Sequence, residues 1–116
     1  MDELSVAISE ASKRKEAKFL PYLVRLYGHK HVVVRAHVIK ALSSEFFASK
    51  QESANVLAEA LSDQEYLVRG FAAKGAISFK NPPMAKKLLN ELKLREKKEK
   101  NSRVLKLIKK SIAKIG

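Results

Sequence analysis

A valine-centred apolar pattern returns at nearly equal intervals along this chain. Val34-Arg35 is followed 34 residues later by Val68-Arg69, and the same shift lays Leu23 on Leu57, Lys40 on Lys74 and Ser44 on Ser78. After the valine, the fourth, seventh and eighth residues are Val38, Ala41 and Leu42 in the first unit and Ala72, Gly75 and Ala76 in the second. A third unit opens at Val104, a step of 36, with Ile108, Ser111 and Ile112 at the same offsets. Offsets of zero, four, seven and eight share one face of an α-helix. The recurrent small residue, Ala41, Gly75 or Ser111, leaves room for a neighbouring helix to come close. A helix pair with such a face cannot bury it alone and must stack on its neighbours.

The remaining sequence fits the same plan. Apolar spacing is helical almost throughout, and strand-like alternation is nearly absent. It predicts seven helices with short joints, over residues 2–14, 17–27, 32–47, 51–62, 65–80, 83–99 and 102–115. Gly28 and Asn81-Pro82-Pro83 fall between apolar segments, as breakers should. Pro21 lies within one, which a first helical turn tolerates. Ser102 is expected to cap the last helix, and Gln51 or Ser53 lies near the start of the fourth. With 116 residues, 46% of them hydrophobic, the chain supports one domain and a modest core.

The segment Leu61-Ser62-Asp63-Gln64-Glu65-Tyr66-Leu67-Val68-Arg69, followed by Ala72 and Gly75-Ala76, resembles the HEAT repeat. The likeness is to its short, phycobilisome-lyase-type variety, with an Asp before the turn, then Val-Arg, then spaced small and apolar residues. It extends over residues 17–116, and 1–14 resembles an isolated second helix serving as a cap. The resemblance implies an all-α fold, a short right-handed α-solenoid of stacked antiparallel helix pairs. Its parts would be the capping helix 1–14, repeats at 17–47 and 51–80, and a divergent, strongly basic repeat at 83–115. It also implies an inter-repeat ladder of Asp63, Arg35 and Arg69, the carboxylate accepting turn N–H groups or the next repeat's guanidinium. Two departures stand out. His29 takes the place of the Asp in the first unit. Leu105 takes that of the Arg in the third, where the charged stretch Lys93 to Ser102 lengthens the joint.

Little in the chain suits catalysis. Without cysteine there is no thiol nucleophile, thiolate metal site or disulfide. No glycine-rich phosphate loop or metal-spaced carboxylate pair occurs, and Glu10, Glu16, Glu45, Glu59 and Glu91 read as solvated partners of nearby cations. The HEAT-like alkylpurine DNA glycosylases share the implied fold and basicity but use a tryptophan-lined cleft around an Asp, and this chain has no Trp. His29, His31 and His37 would converge on a metal only if their turn folded back over the next helix, with no carboxylate placed to complete the shell. A non-enzymatic protein without metal or cofactor is expected. No apolar stretch reaches the ~20 residues of a membrane span, and the acidic start Met1-Asp2-Glu3-Leu4 does not read as a signal peptide. A cytoplasmic location is expected.

Charge carries the functional reading. The net charge is +12, and residues 81–116 contribute most of it, with 12 Lys/Arg against 3 Asp/Glu. Lys40, Lys74 and Lys110 each stand six residues after the unit's valine, the first two flanked on their stripe by Ala36 and Ser44 or Gly70 and Ser78. In HEAT proteins the second helices line the concave surface, so the resemblance implies a lysine ladder along a groove. The alternative is that these are ordinary exposed helix positions. Arg103, Lys106, Lys109, Lys110 and Lys114 coat the last helix opposite Val104, Ile108, Ile112 and Ile115. Those seven cations are the candidate partner-binding residues. Two functions follow from them: a protein–protein scaffold holding an acidic partner, or sequence-nonspecific binding of nucleic-acid backbones through the lysine-rich end. No Phe, Tyr or Trp follows Phe79, so base-stacking platforms are missing from that end. The oligomeric state is left open by the sequence.

Overall fold

A computed structural model describes residues 3–116. Seven helices run along it: α1 Glu3–Arg14, α2 Leu20–Leu26, α3 Val32–Leu42, α4 Gln51–Ala60, α5 Tyr66–Gly75, α6 Pro82–Glu96 and α7 Ser102–Ile115. Short 3-10 turns at Ala17–Phe19, Phe47–Ser49 and Ala76–Ser78 extend three of the joints. The described residues contain no strand. The expected helix start at residue 2 lies outside the described residues.

Local chemistry explains where the helices begin and end. Lys15 follows α1 with φ at 56°, the left-handed conformation that breaks a helix. Pro21 falls in the first turn of α2, where no N–H is required of it. The His31 Nδ1 accepts the Val33 N–H at 3.2 Å and caps α3. Helix α3 stops at Leu42, short of the expected 47. Ser43 and Ser44 account for the early stop, because their hydroxyls donate back to the Ile39 and Ala41 carbonyls, both at 2.7 Å. The cap of α7 is Asn101 and not Ser102, its Oδ1 accepting the N–H groups of Arg103 and Val104 at 3.0 and 3.1 Å. No side chain caps α4, which follows Lys50, and Ser53 is fully buried.

Packing follows a regular order. Helices α2 and α3, α4 and α5, and α6 and α7 pair as hairpins. Helices α1, α3, α5 and α7 pack on one another in sequence, and so do α2, α4 and α6. The molecule measures 36 × 28 × 17 Å, its short dimension being about two helices at the usual 8–10 Å spacing.

The valine pattern builds the core between these helices. Val34, Val68 and Val104 are all buried, as are Val38, Ala72 and Ile108 four residues on. The small residues also do what their size permits. A Cβ on Gly75 would stand 2.7 Å from the Ser43 Cβ, so α3 and α5 meet there at a distance only glycine allows. At the equivalent place one unit later, the buried Ser111 hydroxyl donates to the Ala73 carbonyl at 2.6 Å and ties α7 to α5.

Candidate binding groove

The charges on this framework fall into two sets, and the first occupies the joints that lead into α3, α5 and α7. The Arg35 guanidinium meets Asp63 side-on, with Nε to Oδ2 at 3.1 Å and Nη2 to Oδ1 at 3.0 Å. Its Nη1 donates to the His29 and Lys30 carbonyls of its own turn. One unit on, Arg69 meets Glu99 in the same way, Nε to Oε1 at 2.8 Å and Nη2 to Oε2 at 2.9 Å, while Nη1 donates to the Asp63 carbonyl. Each arginine thus clamps its own turn to the following one. The carboxylate at Asp63 reaches back to the preceding guanidinium, whereas the sequence had suggested the next repeat's as an option.

The same joints show a common acceptor. His29 Nδ1 accepts the His31 N–H, Asp63 Oδ1 accepts the Glu65 N–H, and Glu99 Oε2 accepts the Asn101 N–H, each from two residues on. Glu99 is the structural residue that the sequence reading missed. It precedes Leu105 by six residues, the separation of Asp63 from Arg69 and of His29 from Arg35. That spacing was the available signal. Arg95 adds a further bond to its Oε1 at 3.1 Å.

Electrostatics in the joints are fully committed. Burial works to raise the Asp63 pKa, but bonds from Arg35, the Glu65 N–H and Tyr27 outweigh it and hold the carboxyl below its ordinary range. Glu99 behaves alike, burial being overcome by Arg69, the Asn101 N–H and Arg95. Burial and the hydrogen bond that its hydroxyl donates to Asp63 push the Tyr27 pKa upward. Each of the two carboxylates accepts four hydrogen bonds from these joint groups.

The second set lies on a different side of the same helices. Lys40 follows Arg35 by five residues on α3, and Lys74 follows Arg69 by five on α5, which turns each lysine ~140° away from the arginine. Lys40 and Lys74 are exposed and line one cavity of about 410 Å³, together with Ser12, Ser43, Ser44, Phe71 and Ser78. Lys74 and Phe71 also border a second hollow of about 260 Å³ between α5 and α7, completed by Tyr66, Leu67, Gly70, Arg103, Val104 and Leu107. The two hollows adjoin at Phe71 and Lys74 of α5, and together they make up the candidate groove beside α3, α5 and α7. Among the described residues no carboxylate lines either part. Among the described residues no acid pairs with Lys40, Lys74 or Arg103.

The candidate cations thus divide. Lys40, Lys74 and Arg103 come together on the groove, while Lys106, Lys109, Lys110 and Lys114 are exposed on α7 and line neither hollow. Aromatic residues missing from the lysine-rich end of the sequence are supplied across the fold, since Tyr66 and Phe71 of α5 share the second hollow with Arg103 of α7. His29 and His31 use their Nδ1 atoms as acceptors in the turn before α3, and among the described residues no three His, Asp or Glu side chains are grouped to hold a metal. No helix among the described residues is long and apolar enough to cross a membrane. No family model, curated protein or solved structure matches the chain.

Proposed function

We propose that this protein is a short α-solenoid of HEAT-like helix pairs, right-handed like the repeats it resembles, working as a non-enzymatic scaffold that holds an acidic protein segment. The order in which the helices pack and the repeated acceptor at His29, Asp63 and Glu99 support the solenoid reading. The observation that carries the functional reading is the groove, where Lys40, Lys74 and Arg103 stand with no carboxylate among the described lining residues. Unpaired cations in a concave surface focus an electrostatic field that attracts and orients an anionic partner. A cytoplasmic site of action suits a chain free of cysteine.

One observation favours a second reading. Lys106, Lys109, Lys110 and Lys114 lie exposed beyond the hollows, which suits sequence-blind contact with nucleic-acid phosphates. The two readings separate in a single experiment. Binding of a poly-glutamate peptide and of a random DNA duplex is titrated against salt, for the wild type and for two charge reversals. The scaffold reading expects the peptide to lose at least ~10-fold in affinity on Lys40→Glu/Lys74→Glu, with helicity unchanged and little effect from Lys106→Glu/Lys109→Glu/Lys110→Glu. Duplex binding abolished by the α7 reversal alone would turn the assignment to nucleic acid. Peptide binding indifferent to the groove reversal would remove the scaffold reading.

A further inference from the structure

The hollow between α5 and α7 is chemically unlike the rest of the groove. Its lining is mostly apolar, with Tyr66, Leu67, Phe71, Val104 and Leu107, and it includes the two cationic residues Lys74 and Arg103. Tyr66 and Leu67 are 54% and 40% exposed, an unusual state for large apolar side chains lying next to each other on a helix that otherwise buries its own. Gly70 lies on the wall between them and Lys74. A Cβ there would meet Leu107 and Val104 at 3.6 and 3.8 Å, ordinary contact distances, so glycine is not required by packing. Its missing side chain instead keeps the notch open.

We infer that this notch seats the apolar face of an acidic amphipathic helix, whose carboxylates reach Lys74 and Arg103 on either side; the inference rests on the groove reading above. Charge selects the acidic partner, since the protein carries a net +12 and the described lining of the notch has cations and no acid. Apolar walls select an apolar face in contact with them. Backbone chemistry selects a helix over an extended strand. An extended peptide would bring N–H and C=O groups against walls that offer almost nothing to bond them, whereas a helix satisfies its own. The spacing agrees. Leu67, Gly70, Phe71 and Lys74 follow one another along a single face of α5 for about two turns, enough to receive two side chains one turn apart.

The test uses the full chain and two fluorescent Glu-rich helical peptides. One carries Phe and Leu four residues apart, and its control has Ala at both places. Wild-type protein should bind the anchored peptide at least ~10-fold more tightly than the control. Gly70→Leu, which fills the notch while keeping every charge and adds a better helix former, should abolish that gap. Tyr66→Ser/Leu67→Ser, at exposed positions, should narrow it and covers the case in which Gly70→Leu misfolds. Equal binding of both peptides, lost from both on Lys40→Glu/Lys74→Glu, would overturn the anchored helix and leave the scaffold reading standing. If neither peptide binds, or the charge reversal changes nothing, the groove reading falls and the inference falls with it. A single-stranded oligonucleotide whose binding depends on Tyr66 and exceeds that of both peptides would replace the helix with stacked bases.

Discussion

Arg35 and Lys40 sit five residues apart on α3, and Arg69 and Lys74 are spaced alike on α5, yet the members of each pair have opposite fates. The arginines turn toward the joints and are paired there. Arg35 bonds Asp63 twice and two turn carbonyls, and its side chain is 9% exposed. The lysines turn toward the groove and are exposed, and among the described residues no carboxylate pairs with them. Residue type partly explains the division. A planar guanidinium bonds a carboxylate and a carbonyl at once in fixed directions, which a joint needs, while an ammonium on a flexible stem keeps its water and suits a surface awaiting a partner. The joint face ties consecutive turns together, and the groove face carries the cations on which the proposed binding rests.

The comparison breaks first, and by the largest amount, if the joints are less important than their geometry implies. Removing one partner of a buried ion pair strands the other, a cost of ~3–5 kcal/mol. Glu99→Ala would leave Arg69 and Arg95 without their shared carboxylate, whose side chain is fully buried. Asp63→Ala would strand Arg35 and the Tyr27 hydroxyl. Both should lose stability on that scale in urea unfolding. A loss below ~1 kcal/mol, the range of a surface pair, would put the two faces on equal terms.

How legible these faces were in the sequence differs with the kind of interaction. The core was open to view because burial imposes a helical period: Val34, Val68 and Val104 mark it, and all three are buried. The helices were placed well where breakers such as Gly28 or Asn81-Pro82-Pro83 bound them, and less well where serine hydroxyls end α3 at Leu42. Asp63, Arg35 and Arg69 were proposed through a resemblance; Arg35 bonds the Asp63 carboxylate, and Arg69 bonds the Asp63 carbonyl and Glu99. Glu99 was hidden by its surroundings. It lies in a lysine-rich run that reads as a solvated tail and a lengthened joint, whereas α6 runs on to Glu96 and the joint at 97–101 is no longer than those at 27–31 and 61–65. The groove's aromatic lining was hidden for another reason. Tyr66 and Arg103 are far apart in the chain, and only the packing of α5 on α7 joins them.

Acid sharpens the comparison more gently. Asp63 and Glu99 have folded-state pKas below their ordinary values of 3.8 and 4.5. Their contribution to stability is therefore complete above about pH 5 and is lost as pH falls through the depressed folded values. Protonation unpairs the joints and leaves the groove lysines charged, so urea midpoints should drop between about pH 5 and pH 2. Glu99→Gln, already uncharged at that joint, should show a shallower fall than wild type. An identical fall in both would mean that the acid sensitivity comes from general positive charge repulsion and not from the joint.

The smallest expected effect is the most discriminating. If Lys40 and Lys74 serve only a partner, the isolated protein has no use for their charges. Lys40→Ala and Lys74→Ala should change unfolding stability by no more than ~0.5 kcal/mol, the scale of exposed positions. The sign should lean toward stabilisation, because alanine is the better helix former and each removal relieves repulsion in a chain of net charge +12. A loss above ~1 kcal/mol from either substitution would show instead that the lysine stems pack against Phe71 as part of the fold. The contrast between the paired face and the exposed one would then disappear, and with it the reason to regard the groove as waiting for a partner.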